Sequence, residues 1–371
     1  MKVLIILGTR PEAIKFAPLY FELSKHFITK ICITAQHREM LDQVLDFFKI
    51  IPDYDLDIMS PNQNLFDISA KILLKLKEVI DDFSPDIIFV QGDTSSTLLG
   101  ALAGFYEKIK IAHLEAGLRT YNKYHPFPEE MNRQLTSRLA DIHFVPCINN
   151  KTNLNNEGIN QNIFQVGNTV IDALLLGLKI IKESGEKRYY QDFNYLDFNK
   201  KIILITSHRR ESFGEGFLNI CNAIKDLSYK YPNAQFVYPV HLNPNVQKPV
   251  KEILSRLKNV FLTSPLEYHQ LIWLMNKSYF VMTDSGGIQE EAPALGKPVL
   301  VMREVTERTE GVEAGTALLV GTDKDKIITE ASNLFDNDSD YLKMSKAINP
   351  YGDGDSSQKV ALILKEHFNQ N

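Results

Sequence analysis

The chain has 371 residues, 44% hydrophobic and 23% charged, with a formal net charge of −5. The length favours two domains over one, and the composition is that of an ordinary globular protein. The acidic balance gives no electrostatic reason to expect nucleic acid or an anionic membrane surface, so any anionic ligand must be held by local groups.

From the N-terminus, the apolar run KVLIIL (2–7) stops at Gly8, and Thr9, Arg10 and Pro11 turn the chain into a helix carrying Lys15. A dinucleotide-binding turn places G-x-G-x-x-G there. With one glycine present, the loop does not match that fingerprint, which leaves open whether it holds a phosphate and whose. Further strands are expected at KICITA (30–35), DIIFVQ (86–91), KIAHLE (110–115) and IHFVP (142–146), each followed by a segment of helical period. The pattern breaks within 168–200, where KESGEKRYYQDFNYLDFNK mixes charge, a glycine and scattered aromatics. It resumes with KIILITS (201–207), QFVYPV (235–240), NVFLT (259–263), YFVMTD (279–284) and PVLVM (298–302). Near-continuous apolar strands alternating with helices imply parallel sheets covered on both faces. The expected architecture is α/β, with two Rossmann-like doubly wound domains. One is 1–170, joined by the C-terminal helix 356–371, and the other is 171–355. NPYGDGDSSQ (349–358) is a turn-rich break before that last helix, which is able to pack on either domain.

Cys32, Cys147 and Cys221 are odd in number and widely spaced. They make neither a disulfide framework nor a metal pair, which suits a reducing compartment. VLIIL is too short for a signal h-region, and no stretch approaches the roughly 18 apolar residues of a membrane span. The expectation is a cytoplasmic protein.

In open α/β sheets, ligands bind at the carboxyl ends of the strands, and the polar clusters fall there in both halves. The first half offers Gly8–Arg10, AQHR (35–38), QGDTSST (91–97) and HLEAGLRT (113–120). The second offers SHRRE (207–211), PVHLNP (239–244), TDSGG (283–287) and Arg303. Each alone reads as a capped helix start; together they predict one cleft between the domains. In TDSGGIQEEAPALGKP (283–298), Ser285, Gly286 and Gly287 open a helix whose backbone N–H groups and dipole suit an oxyanion. Glu290 and Glu291 follow, better placed for ribose hydroxyls than for phosphate. The plainer reading is a Ser-capped helix with glycines for close packing. SHRRE groups His208, Arg209 and Arg210, suited to phosphate and proton transfer, with one arginine left for solvent or for Glu211. In TERTEG (306–311), Arg308 between two glutamates reads by itself as a surface ion pair.

Asp93 and Glu115 close adjacent strands, where facing carboxylates can be driven to different pKa values. Glu129, after Pro128 at a helix start, reads by itself as a dipole partner. His113 and His143 lie within apolar strands and are expected to be buried and hydrogen-bonded. Neither they nor His241 have metal-ligand spacing, and DGDSSQ lacks the full calcium-loop pattern, so no metal site is expected.

GTRPEAIK, TAQHREMLDQVL, HLEAGLRT, PFPEEMNRQLT, HRRESFG, YPVHLNPNV, MTDSGGIQEEAP and NPYGDG, in this order and nearly end to end, closely resemble the non-hydrolysing UDP-N-acetylglucosamine 2-epimerases of bacteria. The resemblance implies a glycosyltransferase-B-type fold with the nucleotide sugar in the interdomain cleft. It also implies reversible interconversion of UDP-GlcNAc and UDP-ManNAc, supplying ManNAc units for cell-surface polysaccharide, with no metal or nicotinamide cofactor. No carbonyl flanks the sugar C2–H, so the implied route eliminates UDP to 2-acetamidoglucal and adds it back with the proton on the opposite face. By resemblance, Asp93, Glu115, Glu129 and His208 are catalytic. Arg10, Lys15, Ser285, Gly286, Gly287, Glu291 and Arg308 then hold the UDP, with Leu266 and Leu271 near the uracil. Gln36, Arg210 and His241 match a second, allosteric UDP-GlcNAc site, and a homodimer is implied.

Departures are Gln91 where members commonly carry histidine, Thr309 for a common proline, and Leu266 and Leu271 where a glutamine and an aromatic occur; Glu39 and Asn62 also differ. The competing readings are a hydrolysing 2-epimerase releasing ManNAc and UDP, a UDP-sugar glycosyltransferase, and a nucleotide-sugar-binding protein without catalysis.

Overall fold

A computed structural model of the chain describes residues 1–34, 38–59 and 63–369. It divides into two compact units, residues 1–176 with 351–371, and residues 177–350.

The first unit is built on β1 (Lys2–Leu7), β2 (Ile28–Ile33), β3 (Tyr54–Asp55), β4 (Ile87–Gln91), β5 (Lys110–Leu114), β6 (Ile142–Val145) and β7 (Ile163–Gln165). The intervening helices are α1 (Arg10–Ser24), α2 (Arg38–Phe48), α3 (Leu65–Phe83), α4 (Ser95–Tyr106), α5 (Glu129–Leu139) and α6 (Ile148–Asn156). The 7-stranded sheet has the order β3-β2-β1-β4-β5-β6-β7, and its neighbours pair in parallel. Both faces of the central strands are covered, so Val3 through Leu7 and Ile87 through Val90 are buried without alternation. One core holds Leu4, Ile6, Ile88 and Val90 against Ile72, Leu76 and Val79 of the amphipathic α3. The sequence does not predict β3 and β7. Two- and three-residue edge strands are too short to carry a period.

Next, α7 (Thr169–Ser184) carries the chain into the second unit. There the segment expected as an irregular join contains a short helix, α8 (Lys187–Asp192). Tyr189 and Phe193, the scattered aromatics of the sequence, stack on the buried Trp273 with ring centroids 5.4 and 5.5 Å apart. The second sheet comprises β8 (Ile202–Thr206), β9 (Gln235–Pro239), β10 (Val260–Thr263), β11 (Phe280–Thr283), β12 (Val299–Val301) and β13 (Ala317–Leu319). Its helices are α9 (Glu215–Lys230), α10 (Pro244–Leu254), α11 (Tyr268–Lys277), α12 (Gly286–Ala294), α13 (Thr309–Glu313), α14 (Lys324–Asp336) and α15 (Asp338–Ser345). This 6-stranded sheet runs β10-β9-β8-β11-β12-β13, again in parallel. Its core gathers Ile203, Phe236, Phe280 and Leu300 with Ile220, Ile224 and Phe335. The chain then returns to the first unit, where α16 (Ser356–Asn369) packs on α1.

In each sheet the strand order reverses once, between β1 and β4 and between β8 and β11. Loops leaving those strands diverge to opposite faces, which opens a crevice at their carboxyl ends. Both units are Rossmann-like, as the glycosyltransferase-B class of fold requires. Among the described residues no helix is long and apolar enough to cross a membrane.

Candidate functional site

In the first unit the switch point is formed by the loops after β1 and β4. Thr9 caps α1, with Arg10 and Pro11 in its first turn, where proline's missing N–H and fixed φ are tolerated. Gly8 is required by close approach: a Cβ there would lie 2.2 Å from Ser96 Oγ and 2.4 Å from Thr34 Oγ1. The two loops are tied by Glu12, which is 1% exposed. Its Oε2 accepts the N–H groups of Gly8 (3.0 Å) and Thr9 (2.8 Å) and the Thr9 hydroxyl (2.7 Å). Its Oε1 accepts the hydroxyls of Thr94 (2.8 Å) and Thr97 (3.2 Å). Burial nevertheless wins over these donors and pushes the Glu12 carboxyl above its ordinary range.

Glu115, just past β5, has a left-handed backbone (φ 58), a conformation costing roughly 1 kcal/mol for a residue with a Cβ. Its Oε2 takes the Lys15 ammonium at 2.5 Å and the Gln91 side-chain amide, and its Oε1 takes the Asn168 amide at 3.2 Å. Lys15, expected at the nucleotide, is therefore also the cation of a candidate acid–base carboxylate. Asp93 follows the adjacent β4 and accepts from Arg133 of α5 at 2.7 Å. Asn132 donates to the Asp93 carbonyl at 2.9 Å. Burial pushes the Asp93 carboxyl upward and outweighs the pull of Arg133; Glu115 and Glu129 push the same way. Glu129 opens α5 with Oε2 buried and without a hydrogen-bond partner among the described residues. His113 and His143 are buried and hydrogen-bonded, as the strands that carry them imply. The His113 Nε2–H donates to the Gly92 carbonyl at 2.8 Å and the His143 Nε2–H to that of Ser137 at 2.9 Å. Burial pulls His113 down to about 3, so it is a neutral brace for the turn that presents Asp93.

In the second unit the loops after β8 and β11 meet through Asp284, which is fully buried. One carboxylate oxygen accepts the Ser207 hydroxyl (3.0 Å) and the N–H groups of His208 (2.6 Å) and Arg209 (2.8 Å). His208 Nδ1 stands 3.6 Å from the other, with a side chain 42% exposed. The His208 ring stacks on that of His241, centroids 5.0 Å apart. Ser285, Gly286 and Gly287 head α12, which has no side-chain cap. One expectation is corrected here: the Ser285 N–H is already donated to Thr283 Oγ1 at 2.9 Å, so an anion at this terminus has the glycine N–H groups to use. Arg308 is not simply a surface pair within its own segment. Its Nε donates to the buried Glu290 at 2.8 Å, and the guanidinium lies over Gly286, where a Cβ would sit 3.2 Å from Cζ. Glu291 is 7% exposed, and its carboxylate is the nearest group to the Gly287 Cβ position, at 3.8 Å.

Glu211, offered by the sequence to a neighbouring arginine, pairs instead with Arg303 at 2.5 Å, while Arg209 and Arg210 are exposed. Leu266 and Leu271 are half-buried, before and within the start of α11. Gln36 and Asn62 lie outside the described residues. Among the described residues no group of three or more His, Cys, Asp or Glu side chains is placed to hold a metal ion.

The sequence reading did not single out Glu12, Arg133, Asn168 or Asp284. Two of them left a local signal: Asp284 as a carboxylate directly after an apolar strand, and Glu12 in the T-x-x-E spacing of a capping box. A cavity of about 450 Å³ bounded by Lys200, Lys201, Lys230, Tyr231 and Phe335 lies at the amino ends of β8 and β9, away from the ligand edge. Its Lys201 and Lys230 are engaged by the Phe335 carbonyl and the Ser332 hydroxyl.

A family model described as UDP-N-acetylglucosamine 2-epimerase matches residues 21–365. A Campylobacter jejuni protein of that name is 54% identical over 377 residues, spanning 98% of this chain and 97% of its own. The crystal structure of the UDP-GlcNAc 2-epimerase from Neisseria meningitidis bound to UDP-GlcNAc is similar with a TM-score of 0.91 at 51% identity, covering 99% of this chain and 100% of that one. The Methanocaldococcus jannaschii UDP-GlcNAc 2-epimerase in complex with UDP-GlcNAc and UDP has a TM-score of 0.81 at 34% identity, over 99% of this chain and 100% of its own. At this identity and coverage the chain belongs to the UDP-N-acetylglucosamine 2-epimerase family.

Proposed function

We propose that this chain is a non-hydrolysing UDP-N-acetylglucosamine 2-epimerase. In the forward half-reaction a base takes the C2 proton, the C1–oxygen bond breaks, and the electron pair leaves with UDP, giving 2-acetamidoglucal. In the return, a UDP oxygen attacks C1 and an acid delivers a proton to the other face of C2. Balance needs no oxidant, reductant or water. The observation that carries this reading is the pair of carboxylates at the ends of β4 and β5. Asp93 is raised by burial against Arg133, while Glu115 is held by Lys15, Gln91 and Asn168. Carboxylates kept in different environments are what an acid and a base on two faces of one carbon require.

In this reading Glu129 joins Asp93 and Glu115 in the proton chemistry. His208, Arg10, Arg308 and the N–H groups of Gly286 and Gly287, with Ser285 at the head of the same turn, stabilise the departing diphosphate, and Lys15 assists from beside Glu115. Glu291 takes the ribose hydroxyls, and Leu266 and Leu271 flank the uracil. Gln36, Arg210 and His241 are assigned to a second UDP-GlcNAc site, and the working form is a homodimer in the cytoplasm. The product supplies ManNAc units to surface polysaccharide.

Incubation with UDP-GlcNAc alone in D2O, followed by proton NMR, tests the reaction. The expected result is deuterium at C2 of UDP-ManNAc without accumulation of UDP. Unlabelled C2 in both sugars would overturn the proposal, and stoichiometric UDP with free ManNAc would assign the hydrolysing reaction instead.

A further inference from the structure

Residues 351–354 of NPYGDG and the turn that leads into α7 have no part in the chemistry described so far, yet they meet, and Asn168 of that turn reaches Glu115. We propose that Asn168 is a positioning residue for Glu115, held in place by the returning segment Tyr351–Ser357; this rests on the reading of Glu115 as an acid–base carboxylate.

Asn168 is 3% exposed and its polar groups point three ways. Its side-chain oxygen accepts the Val170 N–H at 3.1 Å, which satisfies the start of α7. Its own N–H donates to the Tyr351 carbonyl at 2.7 Å. Its side-chain nitrogen, not needed for either task, donates to Glu115 Oε1 at 3.2 Å. The backbone on either side has little room to shift. Gly167 has φ 89, and a Cβ there would lie 2.7 Å from Ser356 Oγ and 3.1 Å from the Tyr351 carbonyl. Beyond it, the Ser357 N–H donates to Asp172 at 2.7 Å. Tyr351, Ser356 and Ser357 are all buried.

The residue type matters as much as the place. Glu115 is faced by Lys15 of α1 and by Asp93 of the loop after β4, with the neutral His113 on β5 itself. An amide gives Oε1 a donor that does not titrate, so it fixes the carboxylate without altering the charge balance of the Lys15 pair. Aspartate has the same shape but offers oxygen to oxygen. The like charge would favour the protonated form of Glu115.

The experiment is the pH dependence of kcat for epimerisation by the full chain, comparing wild type, Asn168→Asp and Asn168→Ala, with Glu115→Gln as reference. Asn168→Asp retains the acceptor for Val170 N–H. The limb of the profile that Glu115→Gln removes is expected to move up by about one pH unit, with KM changed by less than about two-fold. Asn168→Ala is expected to lower kcat about ten-fold, as loss of one hydrogen bond to a charged group implies. If Asn168→Asp fails to fold, Asn168→Ser keeps a helix-capping oxygen and withdraws the amide, and should show the same loss in kcat. Variants that lower Tm but leave both the limb and kcat unchanged would reduce Asn168 to a helix cap and overturn the proposal. Full activity in Glu115→Gln is a separate result: it would remove the reading of Glu115 and the proposal with it.

Discussion

Asp93 is subject to opposing effects at one carboxyl. Desolvation raises it, the Arg133 guanidinium at 2.7 Å lowers it, and the net direction is upward. Arg133→Met removes the lowering contribution, so the Asp93 carboxyl must rise further. If Asp93 acts as the base, the acidic limb of the kcat profile moves to higher pH; if it acts as the acid, the alkaline limb does. Both roles therefore predict a shift in the same direction, of about one pH unit or more, in the D2O exchange rate measured across pH. A limb that stays in place or falls would show that Asp93 is not the titrating group. The sequence places Asp93 and Glu115 correctly at strand ends because strand ends are a local property. Their partners are not local: Arg133 lies 40 positions from Asp93, and Asn168 lies 53 from Glu115. Those pairings depend on strand order, which no short window of residues contains.

Between elements, the fixed point is Glu12. The sequence motif reads as a strand, a turn and a helix, and the capping box of Thr9 and Glu12 is the local part of that. What periodicity does not disclose is that the same carboxylate also holds Thr94 and Thr97 at the start of α4. It thereby ties the loop bearing Arg10 to the loop bearing Asp93 across the β1–β4 switch point. Glu12→Ala would leave the Gly8 and Thr9 N–H groups without their acceptor. Hydroxyls can rotate to new partners but backbone N–H groups cannot, so the expected loss is about 3 kcal/mol. Glu12→Gln keeps one acceptor oxygen and should lose about 1 kcal/mol. Urea denaturation should show this as a lower midpoint at unchanged slope. Two variants of equal, wild-type stability would mean that Glu12 is not what joins the loops. Elements were legible where they were long and apolar, such as β1, β4 and β8. They were not legible where only tertiary pairing defines them, as in β3, β7 and β13.

Over the full chain, the same doubly wound pattern is used twice with different residues at its switch points. The first unit presents Asp93, Glu115 and Glu129 with Lys15; the second presents His208, the α12 terminus, Glu291 and Arg308. The same arrangement stands in the sequence motifs, with QGD and HLEAG in the first half and SHRRE and TDSGG in the second. It predicts that proton transfer falls to the first unit and most of the nucleotide binding to the second, with Arg10 and Lys15 as the first unit's share of the diphosphate. A ligand that binds the folded state stabilises it by about 2.7 kcal/mol at a hundred times its Kd, so UDP should raise Tm of the wild-type protein. Asp93→Asn is expected to keep the UDP-dependent rise in full while losing C2 exchange. Arg308→Met should lose most of the rise. Because Arg308 also pairs with the buried Glu290, its Tm without UDP should fall too, and each shift must be taken from the variant's own ligand-free value. Glu291→Gln supplies the milder comparison, since it leaves that ion pair in place and withdraws only a carboxylate near the glycine turn. Thermal denaturation with and without UDP distinguishes the outcomes. If Asp93→Asn abolishes the UDP shift while Arg308→Met and Glu291→Gln retain it, the nucleotide is held by the first unit and the assignment of roles is reversed.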